Sequence, residues 1–152
     1  MTIAKSSVAD LATASERKNE KNKRGILNQV KRMAFETRVS NYYTSQGFFL
    51  KRHVQSRYGD FDLVATKESG SVRAKRLTLL IDCKKYEKGP IPIGEFVMFV
   101  RKFVRYYDHY EGIQSGDWVG VFAYVGRLDR KIRPYWRSIP DKDWILLKPF
   151  RK

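Results

Sequence analysis

The sequence predicts an α/β domain: one mixed central β-sheet flanked by helices, with elements in the order α-β-β-β-α-β-β. Three observations lead there. Residues 25–46 hold no proline and no glycine after Gly25, and Gly47 follows as a stop. Three apolar, strand-length stretches come next, separated by turn residues. Then Phe96, Phe99, Val100, Phe103, Val104 and Tyr107 recur at helical spacing, before further strand-like sequence. Strands that precede and follow such a helix sort into a sheet with helices packed on it.

The elements follow in chain order. Residues 1–24 are small, polar and charged, with six Lys/Arg and three acids, and read as a flexible basic N-terminal arm with at most a weak helix. Residues 25–152 form the folded domain. Helix is predicted over 25–46. "FFLKRHVQS" (48–56) and "YGDFDLVAT" (58–66) read as strands, and "KESGSVRAKR" (67–76) as a hairpin loop. "LTLLIDCKKY" (77–86) is apolar enough for a central strand. "EKGPIPIG" (87–94) is a Pro/Gly-punctuated loop, and the amphipathic helix has Arg101, Lys102 and Arg105 on its other side. "DWVGVFAYVG" (117–126) is a strand, residues 127–143 a long basic loop, and "WILLKPF" (144–150) a short last strand.

The 152 residues fit one domain, and a chain of that size buries roughly 68–70% of its unfolded surface. Its charge is unusual: 31 Lys/Arg against 16 Asp/Glu leave +15, and +12 of that lies beyond the arm. Such a balance suits an anionic partner, with nucleic acid the commonest, although solubility alone also uses charge. The single cysteine, Cys83, excludes an internal disulfide and a Cys-rich zinc site, and suits a reducing, intracellular setting. No apolar run approaches the roughly 18–20 residues of a membrane-spanning helix, so no membrane partner is expected. There is no phosphate-binding glycine loop. His53 and His109 lie far apart without a metal-helix context, which speaks against a histidine metal site.

The acids are the informative feature. Alternation puts Phe61, Leu63 and Ala65 on one face of their strand and Asp60, Asp62 and Val64 on the other. In the later strand Leu79, Ile81 and Cys83 share a face, and Leu80, Asp82 and Lys84 the opposite one. Paired as a hairpin, the two strands gather Asp62, Asp82 and Lys84 on one side. Carboxylates so placed need a cationic partner, and hard Mg²⁺ (or Mn²⁺) takes one or two of them along with waters. A lysine beside the ion can orient water and offset charge on a phosphate. The plainer alternative is two acids paired with some of the many lysines. Asp60, one pleat from Asp62, is its rival as first acid. Glu36 lies within roughly 80° of Ile26, Met33, Val39 and Tyr43 on a helical wheel, so it belongs either to a site or to a border pair with Arg32.

"GDFDLVA…LLIDCKKY", preceded by "MAFETRVSNYYTSQGFFLKR", resembles the core of the PD-(D/E)xK nuclease superfamily, in the style of archaeal Holliday junction resolvases and Mrr-like endonucleases. The likeness covers about residues 30–86, with the helix after them also in place. It implies a restriction-endonuclease-like core and metal-dependent cleavage of DNA, branched or nicked DNA included. It implies Asp62 and Asp82 as metal ligands with the backbone carbonyl of Cys83, Lys84 as catalytic lysine and Glu36 as supporting helix acid. The sequence departs from the pattern in having Asp82 where glutamate is commoner, and in a longer loop between the strands. Lys51, Arg52, Arg57, Lys85, Lys88, Arg127, Arg130, Lys131 and Arg133 are candidate contacts to the DNA backbone. A junction resolvase needs two active sites and hence a homodimer. The other reading is a DNA-binding module of the same fold without catalysis.

Overall fold

The computed structural model describes residues 2–68, 76–110, 116–140 and 142–152, with side chains from residue 14 onward. The chain divides into two compact units, Met1–Ala34 and Phe35–Lys152. The elements are α1 (Thr2–Ser45), β1 (Phe49–Val54), β2 (Phe61–Glu68), β3 (Arg76–Lys85), α2 (Ile93–Tyr110), β4 (Asp117–Val125), α3 (Ile132–Ser138), a 3-10 turn (Lys142–Trp144) and β5 (Ile145–Pro149). In the first unit, every described side chain from Ala14 to Ala34 is exposed apart from the half-buried Lys31. Helix thus also takes in residues 2–24, where the sequence predicted an arm; the Ala, Lys, Glu and Arg there are good helix formers.

The second unit is an α/β sheet structure. Its five strands lie in the order β1-β2-β3-β4-β5. β1–β2 and β2–β3 are antiparallel, and β3–β4 and β4–β5 are parallel. This is the mixed, helix-flanked sheet the sequence predicted. The parallel step from β3 to β4 follows from inserting α2, which lets the chain return to the same end.

The order differs in one place. The segment 127–143, read as a loop, contains α3 and the 3-10 turn. α3 is only seven residues and carries Pro134 in its first turn, where a missing N–H costs nothing. It buries only Ile132, so it has no periodic apolar stripe. Its anchor is tertiary: Trp136 Nε1 donates to the Ile145 carbonyl at 2.8 Å. The centre of the predicted hairpin loop between β2 and β3, residues 69–75, lies outside the described residues.

Alternation along β3 and β4 sorts the core into two layers. Leu80, Trp118, Phe122 and Tyr124 face α2, against Phe96, Phe99, Val100 and Phe103. Leu79, Ile81, Cys83, Val121, Ala123 and Val125 face Phe35, Val39 and Tyr43 of α1. α2 comes close to the sheet at Gly120, where a Cβ would lie 2.9 Å from the Phe103 ring. α1 stops at Gly47, which takes φ 91, while the Phe48 N–H returns to the Tyr43 carbonyl at 3.1 Å.

Candidate functional site

The site sits where β2 and β3 part. The antiparallel ladder runs from Glu68↔Arg76 to Leu63↔Ile81 and ends there. The next two opposed residues are Asp62 and Asp82, and their carboxylates take over from the missing main-chain bonds. Asp62 Oδ2 accepts the Cys83 N–H at 2.8 Å. Asp82 Oδ1 lies 3.4 Å from the Asp62 nitrogen, a long contact in the opposite sense. The two acids are therefore neighbours, held by reciprocal carboxylate-to-amide contacts.

Their carboxylates serve different sides of the sheet, which is a correction to the strict alternation read from the sequence. Phe61 packs in the α2 layer, whereas Leu63 and Ala65 pack in the α1 layer. The pattern turns over at Asp62 between them. Two local features allow this: the β2–β3 ladder has ended, and His53, between the β1 residues that pair with Leu63 and Phe61, sits at φ 51. Asp62 consequently joins Glu36 and His53: one ligand atom from each of the three lies within 4.8 Å of the others. Glu36 is 1% exposed, and its Oε2 stands 3.5 Å from His53 Nε2. Of the two readings of Glu36 made from the helical wheel, its near-complete burial departs from a border-face position.

Asp82 and Lys84 share a face, as the alternation predicts; that face is the one covered by α2, and each meets a residue of that helix. Lys102 Nζ donates to Asp82 Oδ2 at 2.5 Å and to the Asp60 carbonyl at 2.7 Å, and lies 4.6 Å from the centre of the Phe61 ring. Burial pushes the Asp82 carboxyl above the ordinary range, and the Lys102 ammonium pulls it back. Lys84 Nζ is 3.2 Å from Glu95 Oε2, at the half-open rim. An open cleft of about 400 Å³ here is lined by Asp82, Lys84, Glu95, Arg101, Lys102 and Arg105, among others.

Asp60, the rival first acid, has a turn role: its carboxylate accepts the Ser56 N–H at 3.3 Å. The Cys83 thiol is buried in the α1 layer. Among the predicted DNA contacts, Lys51, Arg52, Arg57, Lys88, Arg127, Arg130, Lys131 and Arg133 are exposed and Lys85 is half-buried at the end of β3. Arg52 donates to Thr37 Oγ1 at 2.9 Å, and Arg133 lies 3.4 Å from the Tyr124 hydroxyl.

Residue order alone does not single out Glu95, Lys102 or His53 for this region. The helical spacing puts Lys102 on the polar side of α2, but a long lysine stem can run along apolar surface and deliver its charge inward. Its position three residues after Phe99 and four before Tyr106 was the available signal. The residue order gives His53 no helical metal motif; what places it is the antiparallel pairing of β1 with β2, which sets it opposite Asp62 across the turn at 55–60. No family model matches the chain, nor does any curated protein or solved structure in the comparisons made.

Proposed function

We propose that this chain is a metal-dependent deoxyribonuclease with a restriction-endonuclease-like core, acting on phosphodiester bonds. The observation that supports it is the parting of β2 and β3 at Asp62 and Asp82, with buried Glu36 beside one acid and Lys84 two residues beyond the other. Asp62 and Glu36 offer hard oxygen donors on one side of the break, a donor set that fits Mg²⁺ or Mn²⁺. Asp82 is the adjoining acid, committed to Lys102 until that lysine releases it. The ion, when bound, would activate water and offset charge building on the phosphate.

The chain's own groups do the rest. The Cys83 N–H fixes the Asp62 carboxylate, so that acid does not have to be ordered at the moment of use. Lys84 is held by Glu95 at a half-open rim; once released from it, its ammonium would serve the water or the phosphate. Arg101 and Arg105 line the same cleft and extend the basic surface to which a DNA backbone can bind. Branched DNA is the substrate class suggested by the sequence resemblance, and it would require two copies of the chain.

Purified protein should nick supercoiled plasmid with Mg²⁺ or Mn²⁺ and stop when the metal is chelated. Asp82→Ala and Lys84→Ala should abolish nicking and leave DNA retention largely intact. Equal cutting by all three proteins rejects the site, and so does no cutting by any. A four-way junction competed against linear duplex tests the branched substrate, with equal affinity discarding it.

A second reading, a DNA-binding module without catalysis, has an observation of its own. Asp82 and Lys84 are each paired with a residue of α2, which leaves the two α2-side predicted catalytic groups bonded within the protein. On that reading DNA is retained, nothing is cut, and melting is indifferent to Mg²⁺ and Mn²⁺.

A further inference from the structure

We propose that His53 is a metal ligand, so that Glu36, His53 and Asp62 together hold one divalent ion of the Mn²⁺, Co²⁺ or Zn²⁺ type in preference to Mg²⁺. This rests on the reading above only in taking Asp62 and Glu36 as the ion-binding acids. The histidine and the choice of ion are additional to it.

The argument is geometric first. The three side chains come from α1, β1 and β2, yet present their donor atoms within 4.8 Å of one another. Two donors each about 2.1 Å from a shared ion stand roughly 3.0–3.4 Å apart in octahedral or tetrahedral geometry. The 3.5 Å between Glu36 Oε2 and His53 Nε2 is close to that edge. A small rotation of the imidazole would close the rest, because its side chain is 58% exposed and has room to move.

The surroundings suit an ion more than a simple pair. Glu36 is held inside the core layer, and Asp62 is oriented by the Cys83 N–H, so both carboxylates are positioned before anything binds. Ligating carboxylates are commonly fixed in this way by an outer partner. The third donor faces solvent, which leaves coordination positions for water or a phosphate oxygen.

The chemistry then selects the metal. Mg²⁺ prefers oxygen ligands and keeps most of its water, whereas imidazole nitrogen suits the later first-row ions. A site of two carboxylates and one imidazole should therefore bind Mn²⁺, Co²⁺ or Zn²⁺ more tightly than Mg²⁺.

The test needs no DNA. Titration calorimetry of Mn²⁺ and Mg²⁺ is run on the full chain, on His53→Ala and on His53→Asn, the last because asparagine tolerates the left-handed backbone that position adopts. The expected result is Mn²⁺ bound at least tenfold more tightly than Mg²⁺ by the native chain. Both substitutions should weaken Mn²⁺ by about tenfold or more and change Mg²⁺ by less than threefold. Co²⁺ should give a visible absorption band that shifts on removing the imidazole. Unchanged Mn²⁺ affinity in both variants overturns the proposal. So does absence of Mn²⁺ binding to the native chain at millimolar concentration, which leaves a histidine–glutamate ion pair only. His53-dependent binding without plasmid nicking sinks the nuclease and keeps this site. Nicking together with His53-independent Mn²⁺ binding sinks this site and keeps the nuclease.

Discussion

The two faces of the sheet carry charge at the same break between β2 and β3, but they arrange it differently. On the α2 face each acid has a lysine: Asp82 with Lys102, and Glu95 with Lys84. On the α1 face two carboxylates, Glu36 and Asp62, gather around one imidazole. The first arrangement pairs opposite charges one to one. The second assembles donors of the kind that metal ions take. The cores behind them differ as well: the α2 layer is built of aromatic rings, and the α1 layer of Leu, Ile, Val, Ala and Cys with few rings. Opposed positions on two strands can thus serve opposite electrostatic purposes, because the alternation of β2 turns over at Asp62 where the ladder has ended.

Substitutions on either side separate the two arrangements. The largest expected effect is on the α1 face. Asp62→Asn keeps a carbonyl oxygen for the Cys83 N–H but removes the charge, and should lower plasmid nicking on the order of 100- to 1,000-fold. Native-like circular dichroism with unchanged nicking would show that the α1-side acids are not the ones that matter.

Next is Lys102→Met, which leaves Asp82 without its ammonium. At neutral pH it should destabilise the fold by about 2–3 kcal/mol in urea unfolding, the range for a partly buried charged hydrogen bond. The pH dependence has a definite sign. Burial already holds the Asp82 carboxyl above its ordinary value in the folded state, and removing Lys102 would raise it further. A group raised by folding favours the fold below its unfolded value and loses that contribution as pH rises toward the folded one. The unfolded value is common to both proteins, so the gap between variant and native protein should widen only as pH rises through the native folded value, which lies above the ordinary carboxylate range, and close below it. A gap that is constant with pH would mean that Lys102 acts by packing alone.

Gly120→Ala tests the aromatic layer. The new methyl would meet the Phe103 ring at 2.9 Å and Phe99 at 3.2 Å, and overpacking of this kind costs about 1–3 kcal/mol. A melting temperature equal to the native one would show that α2 can shift without loss. The smallest effect belongs to Glu95→Gln, since Lys84 and Glu95 are 29% and 36% exposed and such pairs contribute about 0–1 kcal/mol. Its use is in kinetics: nicking that rises a few-fold would place the Lys84–Glu95 pair as a brake on the lysine.

Much of the second unit was legible because its signals are periodic. β3 reads as a central strand from its apolar run and falls within a residue of its predicted span, and α2 contains the whole Phe96, Phe99 and Phe103 stripe. What escaped has no period. α3 buries one side chain, and its contacts are tertiary: the Trp136 indole to the Ile145 carbonyl and the Tyr135 ring against Phe96. The turnover at Asp62 depends on where a ladder ends and on one left-handed histidine, neither of which has a pattern in the residue order. Lys102 was visible as a residue but not as a partner, because the reach of a lysine stem, rather than its helical angle, decides where its charge goes.

The two margins of the sheet bear on assembly. β1 has six residues, with Lys51, Arg52 and the left-handed His53 among them, and β5 has five and closes on Lys148 and Pro149. Short, positively charged borders interrupted by proline or an irregular backbone are poor templates for adding another strand. Joining of two sheets edge to edge into one continuous surface is disfavoured by such borders. An association competent for a branched substrate would have to meet through helices or loops, leaving both borders in water.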